Sequence, residues 1–151
     1  MSTTPPATPP THRLPLRAWP FVAASIFTIG VSALAPNGRK PFFLDTDLGW
    51  NALAFSLAKD PHIGAAALLA LLAVIATGRH RLLRAFVLTL VVGACWELGQ
   101  TTVIGHTARL ADLAPDAVGA LLGCAWGVLV TWLVDAGRAD LALGGPQPTS
   151  N

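Results

Sequence analysis

Charge is what this sequence has least of. Only 12% of its 151 residues are Asp, Glu, Lys or Arg, and the formal net charge is +2. The ten basic residues are scattered rather than interleaved with aromatics, so a nucleic-acid partner is not indicated. There are two cysteines, Cys95 and Cys124, each inside an apolar run, which excludes a disulfide framework and suits small packing residues. HExxH and CxxC spacings are missing, so a metal set of His62, His106, Glu97 and Asp116 is not expected. A serine-nucleophile motif, a phosphate-cradling glycine loop and a dinucleotide fingerprint are missing too, and no cofactor or catalytic residue is expected.

What the chain has in abundance is apolar surface. Its hydrophobic content is 53%, more than a soluble protein of this size can bury. A bilayer accommodates that excess; a very apolar soluble helical bundle is the alternative. A spanning helix needs about 20 apolar positions. Four segments offer them, at about 18–35, 61–77, 82–103 and 113–136. The sequence therefore predicts an all-α membrane protein, a four-helix transmembrane bundle over 18–136. Asp60 is placed to cap the second helix, with Pro61 as its first residue. Asp112 is placed to cap the fourth. The second segment is the shortest and also suits a buried core helix. The stretch 41–60, "PFFLDTDLGWNALAFSLAKD", suits an interfacial or re-entrant piece with Phe42, Phe43, Trp50 and Phe55 as its apolar contacts.

Residues 1–17 form a Pro- and Thr-rich stretch without the cationic start and apolar core of a signal peptide, and a disordered tail is expected there. A second tail is expected over 137–151. Arg13, Arg17, Arg79, Arg81, Arg84 and Arg138 fall on one side of the four spans, and Arg39, Lys40, Lys59 and Arg109 on the other. Lys and Arg concentrate on cytoplasmic loops, which puts both termini inside. Trp19 and Trp132 then mark the inner interface, Trp50 and Trp96 the outer one, and Trp126 packs deeper.

Against this background "WELGQTTVIGHTARLAD", Trp96 to Asp112, is an anomaly: a glutamate, a glutamine, a histidine, an arginine and an aspartate within seventeen positions, directly after an apolar run. Glu97 and Gln100 are three apart and share a helical face, and Asp112 and Asp116 are four apart. One to three turns deeper on the same side come Gly119, Gly123 and Gly127, a small-xxx-small pattern suited to close helix packing. An ionisable group inside a membrane costs about 2.5–3.5 kcal/mol at mid-bilayer, less near the interface, so Glu97 and Asp116 should face the bundle with partners. Arg109, His106, His62 and Lys59 are the candidates. Glu97 with Arg109 reads either as a structural pair closing a hairpin or as part of a ligand site. Asp45 and Asp47 read as solvated loop charges.

These residues resemble the VanZ-like membrane proteins. That family shows E-x-x-Q at the end of one helix and then a Gly-Arg turn. An Asp follows, an Asn four residues on, and glycines three and seven beyond it. Glu97, Gln100, Gly105, Asp112, Gly119 and Gly123 fit. Lys59 and His62 match a Lys-x-x-His at the mouth of an upstream helix. The likeness covers about Lys59 to Gly127. Two positions depart: the family's Arg falls on His106, with Arg109 three residues away, and its Asn falls on Asp116. Either the ligand differs or Arg109 substitutes from the next turn.

The family is named for a bacterial protein that lowers susceptibility to the glycopeptide teicoplanin. The resemblance implies a bacterial cell-membrane protein and supplies no reaction; the polar cluster itself is more in keeping with a binder than an enzyme. Its outward polar pocket of Glu97, Gln100, Asp112, Asp116, His106, Arg109, Lys59 and His62 would bind an envelope lipid or an amphiphilic antibiotic such as a lipoglycopeptide. Membrane lipids are its expected partners. Two alternatives stay open: an enzyme acting on a lipid-linked substrate, or a structural protein forming homo- or hetero-oligomers through the glycine face.

Overall fold

The computed structural model describes residues 15–143, with side chains through residue 138. Five α-helices follow one another: α1 (Trp19–Ser32), α2 (Trp50–Leu57), α3 (Asp60–Thr77), α4 (Leu82–Gln100) and α5 (Leu113–Leu143). A 3-10 turn at Leu16–Ala18 leads into α1, where Pro20 fits the first turn because the missing N–H would have no partner there anyway. Another 3-10 turn, Leu110–Asp112, leads into α5. The second, third and last of these long apolar stretches, Asp60–Thr77, Leu82–Gln100 and Leu110–Arg138, are long and apolar enough to cross a membrane, whereas Leu16–Ser32 is apolar but shorter.

α3 is the central element, packed against α5 most extensively and also against α4 and α1. The α3–α5 contact is made backbone to backbone. A Cβ on Gly119 would collide with the Ile63 carbonyl oxygen and one on Gly123 with that of Ala67, while one on Gly127 would stand 2.8 Å from Val74 Cβ. Small residues complete the interior, with Ala70, Ala73, Ala85 and Ala120 fully buried. The large apolar side chains point outward instead: Phe27, Leu83, Leu121, Leu122 and Trp126 are all more than half exposed. Small-inside, large-outside is the packing of helices that approach closely in an apolar solvent, and an outer surface this apolar exceeds what a water-soluble monomer carries.

Two loops are laced together at one end. Lys40 N–H donates to the Thr102 carbonyl (2.8 Å) and Phe43 N–H to that of Thr101 (3.0 Å). Arg39 bridges Val103 in antiparallel fashion. Beyond them β1 (Leu44–Asp45) runs parallel to β2 (Ala108–Arg109), in the register Leu44 to Ala108 and Asp45 to Arg109.

Several expectations need correcting. The fold is not purely helical, because this two-residue parallel pair joins the loops. Among the described residues the helix count is five, α2 being a separate short helix within the 41–60 stretch. α1 stops at Ser32 rather than at 35: Ser32 Oγ–H bonds the Ile29 carbonyl (2.7 Å) and the Arg39 guanidinium takes the Ala33 carbonyl (3.1 Å). α4 stops at Gln100 rather than at 103, because Thr101 to Val103 give their backbone groups to the 39–43 loop. α5 runs to Leu143, past the expected 136, through "DAGRADLAL", which contains no proline and whose Ala, Leu and Arg residues favour a helix. The N-terminal tail is bounded by the turn at Leu16; residues 1–14 and 144–151, and with them Arg13, lie outside the described residues.

One tryptophan also differs. Trp126 is 60% exposed instead of packed, and Trp96, half-buried, stacks on His62. Asp60 is the first residue of α3 with Lys59 before it, and no side chain caps that helix. Both cysteines are free.

Candidate functional site

Antiparallel packing brings the first turn of α3, the last turn of α4 and the first turn of α5 to one end of the bundle. Each of those turns carries polar residues. Lys59 precedes α3 and donates from Nζ to both oxygens of Asp112, at 2.8 and 2.6 Å. Asp112 is 1% exposed, so this is a buried charge-assisted pair rather than a surface one. One turn into α3, His62 Nδ1 lies 3.2 Å from Asp116 Oδ1. Its other nitrogen, Nε2, faces Glu97 Oε1 at 3.9 Å. Glu97 Oε2 accepts the backbone N–H of Arg109 at 2.8 Å. Asp112 and Asp116 stand at the N-terminal end of α5, where the helix dipole favours negative charge.

The site is thus a buried set of three carboxylates and one imidazole, reached by the ammonium of the half-buried Lys59. Glu97 and Asp116 are each 2% exposed. Glu97 Oε1 and Asp116 Oδ2 have no hydrogen-bond partner among the described residues. Room for Asp116 comes from Gly93 on α4: any Cβ there would overlap its carboxylate. Trp96 closes one side, its ring stacked on that of His62 with centroids 4.6 Å apart and planes 15° apart.

Of the eight residues singled out from the sequence, five meet through their side chains: Lys59, His62, Glu97, Asp112 and Asp116. Arg109 joins through its backbone N–H alone. Its guanidinium turns away, to Asp45 at 3.4 Å and over the Phe55 ring at 4.9 Å. The expected Glu97–Arg109 ion pair is therefore replaced by a backbone contact, and Asp45 is a partner rather than a solvated loop charge. Asp112 spends its carboxylate on Lys59 instead of capping α5.

Gln100 and His106 lie elsewhere. They line a cavity of about 270 Å³ with Phe27, Thr28, Val31, Ser32, Ala65 and Trp96, between α1, α3 and α4. His106 is exposed, and its carbonyl accepts from Lys40 Nζ. The glycine face expected to be open for assembly is covered by α3, so Gly119, Gly123 and Gly127 pack within the chain.

Four participants were not foreseen: Asp45, Phe55, Gly93 and Trp96. Gly93 stands four residues before Glu97, one turn along the same face, and that spacing was the available signal. No family model matches this chain, and neither does any curated protein or solved structure.

Proposed function

We propose that this chain is a multi-pass protein of the bacterial cell membrane, VanZ-like, that binds an amphiphile at the end of its bundle carrying the polar cluster. α3, α4 and α5 span the bilayer. α1 with its leading turn serves as a fourth, thinner span, which leaves both termini on the cytoplasmic side. The carrying observation is the cavity between α1, α3 and α4. Phe27, Val31 and Ala65 give it an apolar interior, and Gln100 and His106 give it polar groups beside the interhelical loops. A polar headgroup placed there meets hydrogen-bonding side chains while its tail lies along α1 and α3. Binding sites of this kind are mostly apolar with a few polar groups that set orientation. The buried cluster next door then acts as the rigid floor beneath Trp96. Envelope lipids and lipoglycopeptides such as teicoplanin share the required chemistry.

Labelled teicoplanin and phosphatidylglycerol micelles, titrated separately into the detergent-solubilised protein, test this. Thr28→Trp, which fills the cavity from α1, should weaken binding at least tenfold, as should His106→Ala combined with Gln100→Ala. A loss for teicoplanin alone assigns the antibiotic, and a loss for both assigns amphiphiles in general. Unchanged binding of both probes in Thr28→Trp overturns the reading. The enzymatic alternative draws on His62 standing between two carboxylates, an arrangement suited to proton transfer; appearance of a new lipid species on incubation with envelope lipids would favour it.

A further inference from the structure

His62 has a carboxylate at each ring nitrogen, and the two contacts are unlike. Nδ1 is within hydrogen-bond distance of Asp116, while Nε2 stands 3.9 Å from Glu97 Oε1, beyond that range. With Nδ1–H donated to Asp116, Nε2 carries a lone pair, and so does the oxygen it faces. Two acceptors confronting each other in a buried place repel unless a proton or a metal ion lies between them. The 3.9 Å separation is too long for the hydrogen bond a proton would make but leaves room for an ion. Glu97 Oε1 has no other partner among the described residues, at 2% exposure of the residue. Asp112 completes a triangle: one ligand atom each from His62, Glu97 and Asp112 lies within 4.8 Å of the others.

Charge points the same way. With all three carboxylates ionised and the imidazole neutral, as metal ligation requires, Lys59 at +1 leaves −2. Arg109 does not offset this, because its guanidinium is turned to Asp45. Uncompensated buried charge is costly, and one divalent ion removes the surplus.

We infer that His62, Glu97 and Asp112 bind a divalent transition-metal ion, Zn²⁺ or Mn²⁺, with Asp116 as the positioning residue that orients the imidazole. One nitrogen and two carboxylate oxygens suit these ions better than Ca²⁺ or Mg²⁺, which prefer oxygen alone. Ligands about 2.1 Å from a tetrahedral ion lie about 3.4 Å apart, so no pair of the three ligand atoms, now within 4.8 Å, closes by more than about 1.4 Å on binding. Asp112 can keep Lys59 while ligating, since a carboxylate offers about four lone-pair directions. A ligating histidine whose other nitrogen donates to a carboxylate is the usual outer-shell arrangement of metal sites. The site is separate from the amphiphile cavity, with Trp96 between them, and stands or falls independently of it.

Full-length protein in detergent, stripped with a chelator and then titrated with Zn²⁺ and separately with Mn²⁺ by calorimetry, tests this. One ion per chain is expected. Glu97→Gln and Asp112→Asn should each weaken binding at least tenfold, and Asp116→Asn by about 10- to 100-fold. In the Co²⁺-loaded form, Asp116→Asn should shift the ligand-field absorption while one ion per chain still binds, which a merely structural role would not do. His106→Ala should bind as the unaltered protein does. Failure of the unaltered protein to bind either ion below millimolar concentration overturns the inference whatever the variants do. So does binding that survives Glu97→Gln combined with Asp112→Asn. Teicoplanin binding that persists in the stripped protein leaves the amphiphile reading intact while the metal inference is judged on its own titration.

Discussion

The two ends of α3 treat charge in opposite ways. At its N-terminal end Lys59 meets an Asp112 that is 1% exposed, and His62 stands among carboxylates that solvent barely reaches. At its C-terminal end Arg79 pairs with Asp135 at 3.0 Å, but both side chains are open, at 35% and 55% exposure. The same kind of ion pair is therefore part of the interior at one end and part of the surface at the other. Geometry accounts for the difference. At the N-terminal end two interlaced loops, 39–45 and 101–109, close over the helix termini and exclude water, whereas "GRHR" at the other end is a short turn that covers nothing. Charge is a scarce resource in this chain, and where it is buried it is concentrated in one place.

The strongest way to break that arrangement is to separate α3 from α5, since their contact aligns His62 with Asp116. Gly123→Leu should destabilise by more than about 3 kcal/mol, because its Cβ meets the backbone of Ala67, which cannot rotate aside. On the same helix, Gly137 has nothing within 4 Å, and Gly137→Ala should stabilise by about 0.5–1 kcal/mol through helix propensity alone. Unfolding in mixed detergent micelles reads both, and similar effects at the two glycines would remove the close-packing account.

Next in size comes the contrast between the ends themselves. Lys59→Met leaves Asp112 buried without its cation and should cost about 3 kcal/mol. Arg79→Met breaks only an exposed pair and should cost no more than about 0.5 kcal/mol. If the two variants unfold at the same detergent fraction, the N-terminal cluster is no more a buried site than the C-terminal pair is.

Part of this was readable in the residues, and what was readable has a common cause. Lys59, His62, Glu97, Asp112 and Asp116 all occupy or adjoin terminal turns of the consecutive helices α3, α4 and α5, so antiparallel packing alone brings them to one end. Small residues every fourth position on α5 point to a close neighbour for a similarly local reason. Gln100 shows where such reasoning stops. Three residues advance a helix by about 300°, so Gln100 stands about 60° around from Glu97. That rotation puts Glu97 against α3 and α5 and Gln100 beside α1. Asp45 was out of reach altogether, because its contact with Arg109 depends on pairing between two loops distant in sequence.

That loop pairing supplies the smallest effect, and it asks whether the N-terminal end needs its cover. Asp45 and Arg109 are 30% and 29% exposed and 3.4 Å apart, so a double-mutant cycle of Asp45→Ala and Arg109→Ala should return a coupling of only about 0.2–1 kcal/mol. Arg109→Ala should nevertheless leave the Glu97 contact standing, because the group that reaches Glu97 is the backbone N–H, which alanine keeps. Hydrogen exchange at the Arg109 amide separates the two effects: protection retained in Arg109→Ala means that Glu97 still holds the loop down. Protection lost there means that the guanidinium, through Asp45 and Phe55, is what presses the backbone onto the cluster. In that case the Arg109 side chain, and not Glu97, would be what holds the loop cover over this end of the bundle.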